Sequence, residues 1–234
     1  MTTETIKSAY WQGVREGSPF ILILVPFGTL FGVVASEAGL DLTQAMVMSL
    51  LVVAGAAQFT AVQLMSEHVP TLIVVAAALT VNLRMAMYSA SLTPHLGQAS
   101  LPMRLLVAYF MVDQSYACSL AAYERNPGWS MGRRLAFFFG VATPIAPNWL
   151  IFTLVGALVG ASMPDALALD FAVPITFIAL VTPMLRTGAH RAAALSAVAA
   201  SLMLAWLPYS LGVIVAGLIG MLVGAEVERR AIRA

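Results

Sequence analysis

Long apolar stretches separated by short polar segments recur along the whole chain. A helix that crosses a bilayer needs roughly 20 mostly apolar residues. Eight stretches approach that length: 18–36, 45–65, 71–91, 103–123, 135–161, 171–185, 192–207 and 209–224. The last three are short, and the final two are separated only by Leu207-Pro208, so 192–224 reads either as two spans or as one long kinked helix. Lys7 and Arg15 before the first stretch superficially fit a signal peptide. That stretch carries Gly28 and Gly32 and is followed by many like it, so it reads as a retained span. The pattern predicts an all-α, polytopic integral membrane bundle of eight transmembrane helices, or seven, some broken or kinked, forming one domain over residues 1–234.

Loop charge favours eight. Cytoplasmic loops are enriched in Lys and Arg. With the amino terminus inside, the inner segments hold Lys7 and Arg15, then Arg125, Arg133 and Arg134, then Arg186 and Arg191. The outer loops hold Glu37 with Asp41, then Asp165 with Asp170. The basic tail after Glu226 belongs inside only if 192–224 crosses twice. Both termini are therefore expected in the cytoplasm. Two loops run against this order: 93–104 should be outside yet carries His95 and Arg104, and Glu67-His68 should be inside yet has no Lys or Arg. A weak internal repeat also shows. Shifting the chain by 128 residues brings Pro19, Leu22, Ile23, Gly28, Leu30 and Gly32 onto Pro147, Leu150, Ile151, Gly156, Leu158 and Gly160.

Composition agrees with a membrane protein: 60% of residues are hydrophobic and 10% charged, against about a quarter charged in an average soluble domain. A net charge of +1 argues against a general nucleic-acid binder. The single cysteine, Cys118, cannot form an internal disulfide. No HExxH, Walker lysine loop, Gly-x-Ser-x-Gly or Cys/His metal cluster occurs, so neither an enzyme, a cofactor nor a metal site is expected.

Polar groups at membrane depth are costly and mark candidate sites. Asp113 is the only carboxylate deep inside a predicted span, and Asn82-Leu-Arg84 lies inside another. If 71–91 and 103–123 are adjacent antiparallel helices, Arg84 and Asp113 lie at similar depth and can pair; a purely structural ion pair is the competing reading. Ala54-Gly-Ala-Ala-Gln-Phe59 offers small residues, at Gly55 above all, that permit close helix packing or local unwinding, with Gln58 as donor and acceptor. Pro144 and Pro147 sit in the fifth stretch just before Asn148-Trp149. Each removes a backbone donor and clashes with the preceding turn, which predicts a broken helix with Asn148 capping its second half; a plain kink is the alternative.

These residues carry a family resemblance. Ala54-Gly-Ala-Ala-Gln-Phe59, Asn82-Leu-Arg-Met-Ala-Met-Tyr88, Val112-Asp-Gln-Ser-Tyr-Ala117 and the stretch 140–160 with Asn148-Trp149 resemble, in order and spacing, the AzlC family. That family comprises large subunits of bacterial branched-chain amino-acid exporters, and the similarity covers about 13–224. Two positions depart from its pattern: Met85 stands where the family usually has His, and Gln114 where it usually has Glu. The resemblance implies export of valine, leucine, isoleucine and sometimes methionine across the bacterial inner membrane, together with a small membrane subunit of the AzlD type. It implies a substrate and proton site drawn from Asp113, Arg84, Asn82, Gln58, Gly55, Asn148, Gln114 and Tyr88, with Arg84 facing the substrate carboxylate. Proton antiport with Asp113 as leading acceptor is the implied energy source. A channel-like or uniport pore for small zwitterions, and a non-transporting scaffold for the partner subunit, stay open.

Overall fold

The computed structural model describes residues 5–162, 185, 187–207 and 211–233, and they are helical almost throughout, with no strand among them. The predicted stretch 171–185 lies, but for its last residue, outside the described residues. Four helical stretches are long and apolar enough to cross a membrane: Ile6–Glu37, Thr71–Leu96, Met131–Gly160 and Leu211–Ala231. The chain forms two compact units, residues 1–63 with 78–163, and residues 64–77 with 164–234.

In the first unit, α1 (Ile6–Gly17) passes through a 3₁₀ turn at Ser18–Phe20 into α2 (Ile21–Glu37). Beside this rod lies α8 (Met131–Gly160), a single helix of 30 residues. The two run parallel. Gly13 abuts Phe137 and Val141, Gly28 abuts Trp149 and Phe152, and Gly160 abuts Val33 and Ser36. A Cβ on Gly32 would strike the Thr153 carbonyl, and one on Gly156 the Thr29 carbonyl. The glycine pairs of the sequence thus form the close helix–helix seam that small residues permit. The repeat-related segments 19–32 and 147–160 lie side by side along it.

The expected break in α8 is absent: the helix runs through Pro144 and Pro147. Each proline withdraws one N–H, from the Gly140 and Thr143 carbonyls. Neighbouring bonds are reinforced by side chains, Thr143 Oγ1 donating to the Phe139 carbonyl at 2.7 Å and Asn148 Nδ2 to the Pro144 carbonyl at 2.7 Å. Packed against α1 and α2 along its length, the helix is splinted, and such relief is how membrane helices tolerate proline. Asn148 therefore sits inside a continuous helix and caps no second half.

Two of the predicted spans are helical hairpins. The stretch 45–65 contains α3 (Leu42–Leu51) and α4 (Gly55–Ser66), with non-helical backbone at 52–54. Such a break is what small residues around Gly55 predict. Asp41 caps α3, its carboxylate accepting from Gln44 N at 2.8 Å, and α3 runs back antiparallel to α2 until Ser49 meets Thr153. A straight crossing would then carry α4 toward Phe20. Instead Gly55 touches the Phe27 and Trp149 rings, Phe59 lies between Phe27 at 5.0 Å and Phe31 at 5.4 Å, and Gln58 donates back to Ser49 at 3.0 Å. α4 returns toward the end at which α3 began.

The stretch 103–123 behaves likewise from the opposite end. After α5 (Thr71–Leu96) come α6 (Leu101–Tyr109), an irregular turn at 110–112, and α7 (Asp113–Arg125). α6 runs antiparallel to α5, and Ser89 Oγ meets Met111 Sδ at 3.7 Å. α7 turns back and runs parallel to α5: Arg84 meets Asp113, Ser91 meets Tyr116 and His95 meets Tyr123. Arg134, at the start of α8, donates to the His95 carbonyl at 3.1 Å, and Tyr123 OH donates to the Arg134 carbonyl at 2.7 Å. Leu101 and Arg125 are therefore at one end of the unit, and the expected antiparallel crossing is corrected to a re-entrant hairpin. In this unit Lys7, Arg15, Arg104, Arg125, Arg133 and Arg134 gather at that end, while Glu37 and Asp41 mark the other.

In the second unit, α9 (Gly188–Met203) and α10 (Leu211–Arg233) pack as an antiparallel pair. Gly212 lies against Leu204, Gly220 against Ala197 and Gly224 against Ala193. Residues 192–224 are thus two helices rather than one kinked helix.

Candidate functional site

The two hairpins enter from opposite ends and their tips meet. Tyr109, the last residue of α6, donates its hydroxyl to the Leu50 carbonyl near the end of α3 at 2.6 Å. Leu50 and Val53 of one tip and Tyr109 and Phe110 of the other line a half-open cavity of about 370 Å³, backed by the middle of α8 from Phe139 to Leu150. Four helix ends belong to these two tips, and those of α3 and α6 line the cavity. α3 and α6 bring their C-terminal carbonyls, and α4 and α7 bring first-turn N–H groups that have no acceptor within their own helices. These ends carry partial charges of opposite sign.

Behind the cavity is a buried polar layer. Ser49, Gln58 and Thr153 are each fully buried. Gln58 Nε2 donates to Ser49 Oγ at 3.0 Å, and Ser49 lies 3.5 Å from Thr153 Oγ1. Gln58 Oε1 and the indole Nε1 of Trp149 have no hydrogen-bond partner. An unpaired buried polar atom costs about 1–3 kcal/mol, so both are candidates to meet a ligand or water. Gly55 is dictated by proximity: its Cβ would come within 2.8 Å of Trp149 Cη2 and 2.9 Å of Phe27 Cε1.

The second cluster secures the α6–α7 tip. Asp113, at the first position of α7, accepts from Arg84 Nη1 at 2.8 Å and from Tyr88 OH at 2.9 Å. A carboxylate there is favoured by the helix dipole. The Tyr88 and Tyr116 rings stack at 4.1 Å, and Tyr116 OH donates to Ser91 Oγ at 3.0 Å. Ser115, fully buried, closes the turn by accepting from Val112 N at 2.9 Å.

The eight residues singled out from the sequence fall into separate places. Arg84, Asp113 and Tyr88 form one cluster. Gln58 and Gly55 stand at the other tip. Asn82 lies two residues before Arg84 with its buried Oδ1 unpartnered, Gln114 follows Asp113 without joining either network, and Asn148 bonds only within α8. Neither Arg84 nor Asp113 lines the cavity between the tips. Sequence reasoning missed Ser49, Tyr109, Ser115, Thr153 and the N–H of Trp149. Asp113-x-Ser115, which reads as a helix start in mid-span, was the signal for the second tip.

A family profile described as "AzlC protein" matches residues 19–163. An "Uncharacterized membrane protein" of Archaeoglobus fulgidus is 30% identical over 222 residues, covering 92% of this chain and 94% of that one. The chain belongs to the AzlC family. Another relative, an "Uncharacterized membrane protein" of Helicobacter pylori strain 26695, is 31% identical over 180 residues, 76% of this chain and 77% of its own. The "Inner membrane protein YgaZ" of Escherichia coli K12 is 23% identical over 182 residues, 75% of this chain and 73% of its own. No solved structure matches. The AzlC profile spans α2 through α8, and hence both hairpins and the cavity between them.

Proposed function

We propose that this membrane protein is the large subunit of a heteromeric secondary transporter that exports branched-chain amino acids from a bacterial cell by proton antiport. The observation that carries the reading is the meeting of two opposed re-entrant hairpins around an apolar cavity, in a chain of the AzlC family. Broken helices at mid-depth are a recurring way to build a transporter's site, since irregular backbone inside a bilayer is tolerated only where protein or a cavity covers it. The small AzlD-type subunit is the partner, and in this reading the first unit's basic end is cytoplasmic, as are both termini.

Asp113 is the proton acceptor in this reading. Its ionised carboxylate holds Arg84 and Tyr88, and so holds the α7 end of the tip to α5. Protonation removes the charge on which the Arg84 bond depends and frees the tip to move. Leucine efflux from cells expressing the chain with and without its small partner tests the function, and paired cells that retain leucine as control cells do would reject it. Asp113→Asn tests the coupling: efflux should lose its dependence on the proton gradient, and a wild-type dependence would remove Asp113 from that role.

A further inference from the structure

We infer that the cavity between the two tips, and not the Arg84–Asp113 pair, holds the transported solute, and that the solute is one zwitterionic amino acid with an aliphatic side chain. The choice of solute class rests on the transporter reading; the location of the site rests on the fold alone.

The volume of about 370 Å³ lies at the small end of ligand pockets, which run roughly 300–1,000 Å³. Its walls are mainly apolar, with Leu50, Val53, Phe110, Phe139 and Leu150 among them. Such walls suit a short hydrocarbon side chain and reject a second full charge. A zwitterionic head needs the opposite: one region of donors and one of acceptors, close together. The lining ends of α3 and α6 supply acceptors, the carbonyls of their last turns. Side chains point the same way. Trp149 lines the cavity, is only 5% exposed, and its N–H has no acceptor. Ser49 also lines it, backed by fully buried Gln58, whose Oε1 has no donor. One unspent donor thus stands on a wall residue, and one unspent acceptor on Gln58, one residue behind the wall. The Arg84–Asp113 pair lies outside the lining with its two charges bonded to each other, although Arg84 Nε has no partner.

The test uses membranes containing the full chain and its partner subunit, with Cys118→Ala removing the native thiol. A cysteine at Ala146, or at Ala142 if the first variant fails to insert, places a thiol in the lining. A cysteine at Leu158, on the exposed face of α8, is the control. Leucine, valine and methionine should slow maleimide labelling of the cavity thiol and leave the control unchanged. Glutamate, lysine, isocaproate (no ammonium) and isoamylamine (no carboxylate) should not protect. Trp149→Phe keeps the ring and loses the donor, and should raise the half-protecting leucine concentration about tenfold, as loss of one bond to a charged group does. If leucine is exported but protects neither cavity thiol, the site is overturned and the export reading stands. If leucine protects but is not exported, the export reading falls and the site stands. Equal protection by leucine and isocaproate would overturn the zwitterion assignment.

Discussion

Asp113 touches its partners through two oxygens, and the two ways of altering it separate charge from shape. Asp113→Asn keeps an acceptor for Arg84 or Tyr88 and should fold and insert normally. Asp113→Leu leaves both donors without an acceptor, and should lower stability by about 1.5–3 kcal/mol, read as an earlier thermal midpoint of the purified complex. Equal midpoints for the two variants would mean the tip is held by something other than this carboxylate. Gly55→Ala is expected to destabilise by about 1–3 kcal/mol through overpacking, because its Cβ would approach Trp149 Cη2 to 2.8 Å. An unchanged midpoint would show that the ring can move aside. At this scale much was legible. Arg84 and Asp113 stand out by the cost of charge at membrane depth, and Gly55 by its small neighbours. Trp149 was not, because an indole looks like core until its N–H is found without an acceptor.

For single elements the length of an apolar stretch proved ambiguous. Twenty apolar residues satisfy the bilayer whether they cross it or turn back within protein, so 45–65 and 103–123 read as spans although each is a hairpin. The loops at 93–104 and Glu67-His68 were the clue. His95 and Arg104 look misplaced only if 103–123 crosses; as a hairpin, it leaves them beside Arg125 and Arg134. The prolines of α8 misled in the opposite sense. Proline chemistry is local, whereas the seam that splints α8 against α1 and α2 involves residues more than a hundred positions away. Cysteines placed at Ala99 and at Gly128, in a Cys118→Ala background, should react with an impermeant thiol reagent from the same side of the membrane. Reaction from opposite sides would restore 103–123 as a crossing.

Over the whole molecule, turning two crossings into hairpins preserves parity, so the expected side of the carboxyl-terminal tail does not change. A reporter fused after Arg233 should be active as a cytoplasmic enzyme, and a periplasmic signal would break the assignment of both termini to one side. The expectation that the chain works with a small partner rests on family resemblance; purified chain alone that moves leucine at the paired rate would end it. The bond from Tyr109 OH to the Leu50 carbonyl reaches furthest at this scale. It makes the two hairpins behave as the doors of an airlock whose latches share one bolt. Each door hangs from its own end of the unit, and the bolt ties their tips together. Tyr109→Phe withdraws the bolt and leaves both doors in place, so this variant should let leucine run down its own gradient without a proton gradient, a leak that the wild-type chain prevents.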